Sequence, residues 1–217
     1  DKDVDRDLVW AEAHESLGDM FWTRQQLEWS AAWPHYQQAL DWWAGQRDLD
    51  RARTPYLAIV FRAATPPRAA EYYVYSYYGG TIPLDVLENA LKISTSTNDR
   101  SFLNYLIAMT MRNVGSGDLG MRQRVPDYFE AALAAGKQSA WYDDALFHYA
   151  EWLNNTGPLR EFADGQWRYE PDYVKALEMF RRLITEFTKG ETRYYDQAVA
   201  QITMITTPTI TIGVSNI

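Results

Sequence analysis

Apolar residues recur every three or four positions over most of the chain, the period of helices with one buried face. Trp10, Ala13, Leu17, Met20 or Phe21, and Leu27 trace a first stripe, and Ala32, Tyr36, Ala39, Leu40 and Trp43 a second. Proline is tolerated in a helix's first turn, so Pro34 predicts that the second helix begins close to it, and Gly45 suits its stop. A third helix is predicted from about residue 50 to 64 around Tyr56, Ile59, Val60 and Arg62, closed by Thr65, Pro66 and Pro67. Beyond Pro83 the spacing returns with Leu84, Leu87, Ala90, Leu91 and Ile93. Asp99 then reads as the N-cap of a helix carrying Phe102, Leu103, Leu106, Ile107 and Thr110.

Glycines at 115, 117 and 120 mark a loop before the next stripe, Val125, Tyr128, Phe129, Ala132 and Leu133, closed by Gly136. Ser139 reads as the N-cap of a helix lined by Tyr142, Ala145, Leu146, Tyr149 and Leu153, with Asp143 and Asp144 near its positive end. After Gly157 and Pro158 the polar stretch 155–170 reads as an irregular insert. Pro171 then opens the most regular stripe, Tyr173, Ala176, Leu177, Phe180, Leu183, Ile184 and Phe187. A last helix carries Tyr195, Ala198, Val199, Ile202 and Ile205. The period fails twice. Residues 71–78, EYYVYSYY, fit helix or strand, and Ile210, Ile212 and Val214 alternate with Thr209, Thr211 and Gly213 as in a strand.

The expected fold is all-α, an α-solenoid of antiparallel helical hairpins over residues 1–205, with 206–217 a linker and the first β-strand of a further domain. Successive hairpins invite a search for a repeat. His14, Leu17, Gly18 and Phe21, followed by Ala32, Tyr36 and Ala39, resemble the two helices of a divergent tetratricopeptide-like repeat. His14 stands where that pattern has Trp, and the gap from Gly18 to Ala32 is two residues longer than the pattern's. Ala145 and Ala150, then Ala176, Phe180 and Leu183, follow the same logic.

From Ser139 onward, SAWYDDALFHYAEWLNN, DYVKALEMFRRLITEFTKGE and YYDQAVAQI lead through a Thr-Pro turn into TITIGVSNI. This stretch resembles the helical-repeat region preceding the first β-sandwich domains of bacterial alpha-macroglobulin-like proteins. That resemblance implies a large secreted or periplasmic protein of the cell envelope that traps proteases or otherwise guards the cell. The covalent chemistry of such proteins needs a thioester cysteine, and this chain contains no cysteine. The implied role is therefore a non-catalytic part.

Composition narrows the chemistry. A net charge of -8 opposes a phosphate backbone, so no nucleic acid is expected as a partner. With no cysteine there is no disulfide, thiolate metal site or cysteine nucleophile, and three dispersed histidines, His14, His35 and His148, argue against zinc. No apolar run reaches the roughly 18 residues of a transmembrane segment. Asp1, Asp3, Asp5, Asp7 and Glu12 have the spacing of a calcium loop, but Arg6 occupies the turn position that needs glycine, so a solvated helix start is expected. No cofactor, metal or catalytic residue is assigned.

Glu12, Glu15, Glu28, Asp143, Asp144 and Glu151 are the carboxylates from which a glycan-cleaving pair would have to come, and nothing in their spacing selects two. His148, between Phe147 and Tyr149, reads as a packed or hydrogen-bonded core residue. The conspicuous feature is aromatic content, 15% with nine Trp and fifteen Tyr. Trp29, Trp33, Trp42, Trp43, Tyr72, Tyr73, Tyr75, Tyr77 and Tyr78 are the candidate interaction surface, with packing between hairpins as the competing use. The expected function is a non-enzymatic protein-interaction or scaffold module contacting a protein partner or a downstream β-domain. The alternative is an α-helical glycan-binding or glycan-cleaving domain.

Overall fold

The computed structural model describes residues 8–25, 28–65, 82–112 and 118–207. About three quarters of these residues are helical, and one small two-stranded sheet accompanies the helices. The chain forms two compact units, residues 1–116 and 117–217, a division that falls inside the span expected to be one helical-repeat domain. Residues 1–7, the aromatic segment 71–78 and the alternating tail 209–214, on which the expectations for the acidic start and a C-terminal strand fall, lie outside the described residues.

In the first unit, α1 (Leu8–Asp19) runs through a π-helical turn (Met20–Gln25) and packs against α2 (Trp29–Ala44), which packs in turn on α3 (Leu49–Ala64). The pairings His14 with His35 and Trp22 with Trp29 make α1 and α2 antiparallel. The buried face of α1 is not the predicted one. Ala11, Gly18 and, in the π-turn, Trp22 are buried, whereas Ala13 is exposed and Leu17 is 38% exposed. The cause is close approach. A Cβ on Gly18 would lie 2.5 Å from Cδ1 of Tyr36, so the ring fills the space glycine leaves, and the helix turns its small residues toward α2.

Helix α2 starts at Trp29, so Pro34 sits in its second turn rather than its first, and α3 likewise encloses Pro55. Burial of Ala32, Tyr36, Ala39, Leu40 and Trp43 outweighs the roughly 3 kcal/mol that an internal proline costs. The Asp48 side chain caps α3 by accepting from Arg51 N–H. Helices α4 (Leu84–Ile93) and α5 (Thr97–Met111) pack on each other, α4 also on α3, and α5 is buried continuously from Ser101 to Met109. The N-cap of α5 is Ser96 and not Asp99. The Ser96 hydroxyl accepts from Asp99 N–H at 3.3 Å, which puts the Asp99 carboxylate in the first turn, where it favours the helix dipole.

In the second unit, the short α6 (Leu119–Gln123), capped by Asp118, leads into α7 (Val125–Leu133). The most heavily packed pair is α8 (Tyr142–Asn155) with α9 (Tyr173–Glu186), and α10 (Tyr195–Thr206) lies on α9. Trp141 occupies the N-cap of α8, while Ser139, expected there, accepts from the Trp141 N–H just ahead of the helix. Aromatic rings join the layers: Phe129 stacks on Tyr149 at 4.8 Å, and Phe147 stacks on Tyr194 at 4.4 Å and meets Phe180 edge-on.

The stretch 155–170 is not irregular. It folds into a hairpin of β1 (Leu159–Glu161) and β2 (Trp167–Tyr169) that pairs Leu159 with Tyr169 and Arg160 with Arg168. Like charges directly opposed destabilise a ladder, and here each is neutralised, Arg160 by Glu170 and Asp172 and Arg168 by Asp164. Gly157 closes the base at φ +72°, with the space for a Cβ taken by the Glu170 carbonyl oxygen 1.8 Å away, so only glycine fits.

Candidate functional site

The described tryptophans of the expected surface divide into two groups at opposite ends of α2. Trp29 stacks on Trp33 at 5.0 Å and 14°, and Trp22 meets Trp29 edge-on at the same separation. Trp42 and Trp43 contact each other edge-on at 4.7 Å. Trp42 lies nine positions after Trp33, roughly 13 Å along the helix axis, so the four do not share one stacking platform. Trp43 is buried, and Trp29, Trp33 and Trp42 are half-buried. Tyr72, Tyr73, Tyr75, Tyr77 and Tyr78 lie outside the described residues.

Trp22, which lies off the predicted stripe, is fully buried and donates from Nε1 to the Ala63 carbonyl at 2.9 Å, tying the α1–α2 connection to α3. Beside it lies a charged knot. Tyr36 donates from its hydroxyl to Asp19 at 2.8 Å, Arg62 reaches the same Asp19 oxygen at 3.0 Å, and Arg62 also pairs with Glu15. Burial and the Asp19 carboxylate push the Tyr36 hydroxyl well above its usual range. The spacing sets Arg62 among the apolar residues of its helix, and the structure uses its charge. His14 and His35, far apart in sequence, meet with Nδ1 atoms 3.0 Å apart.

The candidate carboxylates of α8 enter a second network. Asp144 is buried and its Oδ1 accepts from Arg193 at 2.8 Å and from the Tyr194 hydroxyl at 2.7 Å. His148, also buried, lies 3.4 Å from that hydroxyl through Nε2 and 3.2 Å from Glu151 through Nδ1, as befits a hydrogen-bonded core histidine. This chain of contacts anchors the α9–α10 connection to α8. Asp143, half-buried, has its carboxyl raised above the ordinary range by burial, against a hydrogen bond from Thr192, and by the neighbouring Asp144 charge. Glu12 and Glu28 are exposed on the first hairpin. The structure thus joins Asp144, His148 and Glu151, separate candidates in the sequence, into one network.

Concave features are found in each unit among the described residues. In the second unit a shallow groove of about 350 Å³ is lined by Leu133, Ala134, Tyr149 and Met179, with Glu130, Lys175 and Arg182 at its edges. Lys175 pairs with Glu130, the Tyr149 hydroxyl donates to Glu130 at 3.2 Å, and Arg182 pairs with Glu186 at 2.8 Å. The Lys175 bond holds the Glu130 carboxyl below its ordinary range, and burial pushes the Tyr149 hydroxyl up to about 12. Lys175 and Arg182, two turns apart on one helix, are the legible part of this groove; Glu130, brought from α7, has no signal in the sequence. In the first unit a narrower cleft of about 210 Å³ lies where α2, α3 and α4 meet, with Trp43 in its wall.

Among the described residues no three His, Asp or Glu side chains group as a metal site, and no helix is long and apolar enough to cross a membrane. No family model, curated protein or solved structure matches the chain.

Proposed function

We propose that the chain is a non-enzymatic interaction or scaffold module, a divergent tetratricopeptide-like α-solenoid belonging to a secreted or envelope protein of the alpha-macroglobulin-like kind. The observation that carries this is how the carboxylates of the hairpins are used. Glu15 and Asp19 are held by Arg62, Asp144 by Arg193, Glu130 by Lys175 and Glu186 by Arg182, and Glu151 bonds His148. A glycan-cleaving pair needs two carboxyls flanking an open cleft, one of them protonated. Among the described residues the groove beside Lys175 is shallow and walled by three helices, a shape suited to a segment of another protein. The Gly18–Tyr36 contact supports the repeat assignment, because those residues occupy its small and aromatic positions, and the π-helical turn falls within the lengthened gap between Gly18 and Ala32.

The glycan alternative draws on the stacked Trp29–Trp33 pair and the raised Asp143 carboxyl. Incubation with chito-oligosaccharides and peptidoglycan fragments, followed by mass spectrometry, separates the two. We expect every oligosaccharide to be recovered intact. Hydrolysis that disappears in Asp143→Asn would make the chain an enzyme.

A further inference from the structure

The hairpin between α8 and α9 has an open strand edge. Phe162 N–H donates to the Gln166 carbonyl at 2.9 Å and Glu170 N–H to the Pro158 carbonyl at 3.1 Å, so 162 with 166 and 158 with 170 are hydrogen-bonded pairs. Antiparallel pairs alternate, which makes Leu159 with Tyr169 and Glu161 with Trp167 the pairs whose backbone groups point away from the ladder. Among the described residues no hydrogen bond from outside the ladder reaches the N–H or C=O of Trp167 or Tyr169. Leu159, Trp167 and Tyr169 share one face of the sheet. Leu159 is buried and Tyr169 half-buried, whereas Trp167 is 39% exposed, so an apolar face stops at an unpaired edge. A two-stranded ribbon is marginal, and a third strand is the usual remedy.

The chain brings a strand-patterned segment to the same end of this unit. Tyr194, at the start of α10, bonds Asp144 and His148 in the first half of α8, and Gln201 lies 3.5 Å from Asn154 near the end of α8. The two helices therefore run parallel. Asp172 N–H donates to the Leu153 carbonyl at 2.8 Å, so the end of α10 lies on the side where α8 ends, α9 begins and the hairpin stands between them. Ile210, Ile212 and Val214 follow within eight residues of Thr206.

We propose that residues 209–214 of this chain add to the open edge of β2 as a third strand. Ile210, Ile212 and Val214 then extend the apolar face that carries Trp167, and Thr209, Thr211 and Gly213 lie on the face of Arg168. Strand addition pairs the outward backbone groups of Trp167 and Tyr169 and covers the exposed indole. The six residues 209–214 span roughly 20 Å when extended, enough to lie along the three-residue β2. β2 is the acceptor because it runs into α9, the helix on which α10 lies, and because it carries Trp167 where β1 offers Glu161. The pairing does not depend on the interaction-module assignment above.

Amide hydrogen exchange of the full chain, read in a proton–nitrogen correlation spectrum, tests the pairing. The Trp167 and Tyr169 amides should exchange at least tenfold more slowly in wild type than in Ile210→Asp/Ile212→Asp, which puts charge on the face meant to be covered. A second arm uses the absence of cysteine, since any introduced pair then has one possible disulfide. Arg168→Cys is combined in turn with Thr209→Cys, Thr211→Cys, Gly213→Cys and Ile212→Cys. Mild oxidation should close an intramolecular disulfide with one of the first three, at least fivefold faster than with Ile212→Cys, whose side chain belongs on the opposite face. Equal exchange in wild type and the double variant, or cross-linking no faster than with Ile212→Cys, would overturn the proposal. So would protection that rises with protein concentration together with disulfide-linked dimers, which would place the strand on a second copy.

Discussion

Tyr36 lies where a Cβ on Gly18 would have to go, and this close approach sets the phase of α1. Gly18→Ala places a methyl group inside the Tyr36 ring, and overpacking of this kind costs roughly 1–3 kcal/mol despite the better helix propensity of alanine. A urea melt checks this. Two leucines that look alike in the sequence should differ. Leu87 is fully buried, so Leu87→Ala should cost about 2–5 kcal/mol. Leu17 lies on the outward side of α1, so Leu17→Ala should cost less than about 1 kcal/mol, in the range of surface substitutions.

Buried tyrosines give the pH dependence at the same scale. Burial pushes the hydroxyls of Tyr56, Tyr142 and Tyr149 up to about 12, against an ordinary value of 10.0. Between these values the unfolded chain has lost protons that the folded chain keeps, so stability falls with rising pH. The contribution is complete below pH 10 and disappears as the pH rises through 12. Denaturant midpoints measured from pH 8 to 12 should therefore drop above pH 10, with part of the tyrosinate absorbance appearing only on unfolding.

Elements are legible in the sequence where an apolar stripe meets a clear stop, and less so where tertiary contacts set the detail. The stripes of α7 to α10 place Phe129, Leu146, Phe180 and Ala198 inside, as the spacing implies, although Ile202 is only half-buried. The buried face of α1 is offset from the predicted one because ring packing on a glycine and a π-turn leave no periodic trace. Ser96 does not stand out as a cap because Asp99 is an equally good candidate by composition, and hydrogen-bond geometry decides. The 159–169 hairpin is hidden because its strands are three residues each, too short to alternate visibly, and its register rests on Gly157 and on ion pairs that spacing does not disclose. The same holds for the sites: the tryptophans are visible, but their separation along α2, and the arrival of Glu130 and Arg193 from other elements, are not.

Capping at the hairpin's exit is the element-level prediction. Asp172 accepts from Lys175 N–H at 3.0 Å and also pairs with Arg160, joining the start of α9 to the small sheet. Asp172→Ala should cost about 1 kcal/mol, a typical cap value, since the ion pair is half exposed and adds little. Thermal denaturation followed by circular dichroism measures it.

At the scale of the whole molecule, the proposed interaction module holds the charges of its helical hairpins in internal pairs and offers a groove to another protein. Lys175 and Arg182 at that groove are paired with Glu130 and Glu186, so it presents balanced charge on a chain of net charge -8. Association through it should accordingly depend only weakly on salt in the range where surface charges are screened. The most direct measurement is capture from an envelope or culture-supernatant extract by the immobilised chain, with quantitative mass spectrometry, comparing wild type with Lys175→Glu/Arg182→Glu. We predict one enriched protein partner whose recovery falls at least tenfold in the double variant while the helical circular dichroism is unchanged. Equal recovery by both forms, or no enrichment by either, would contradict the groove as the working surface.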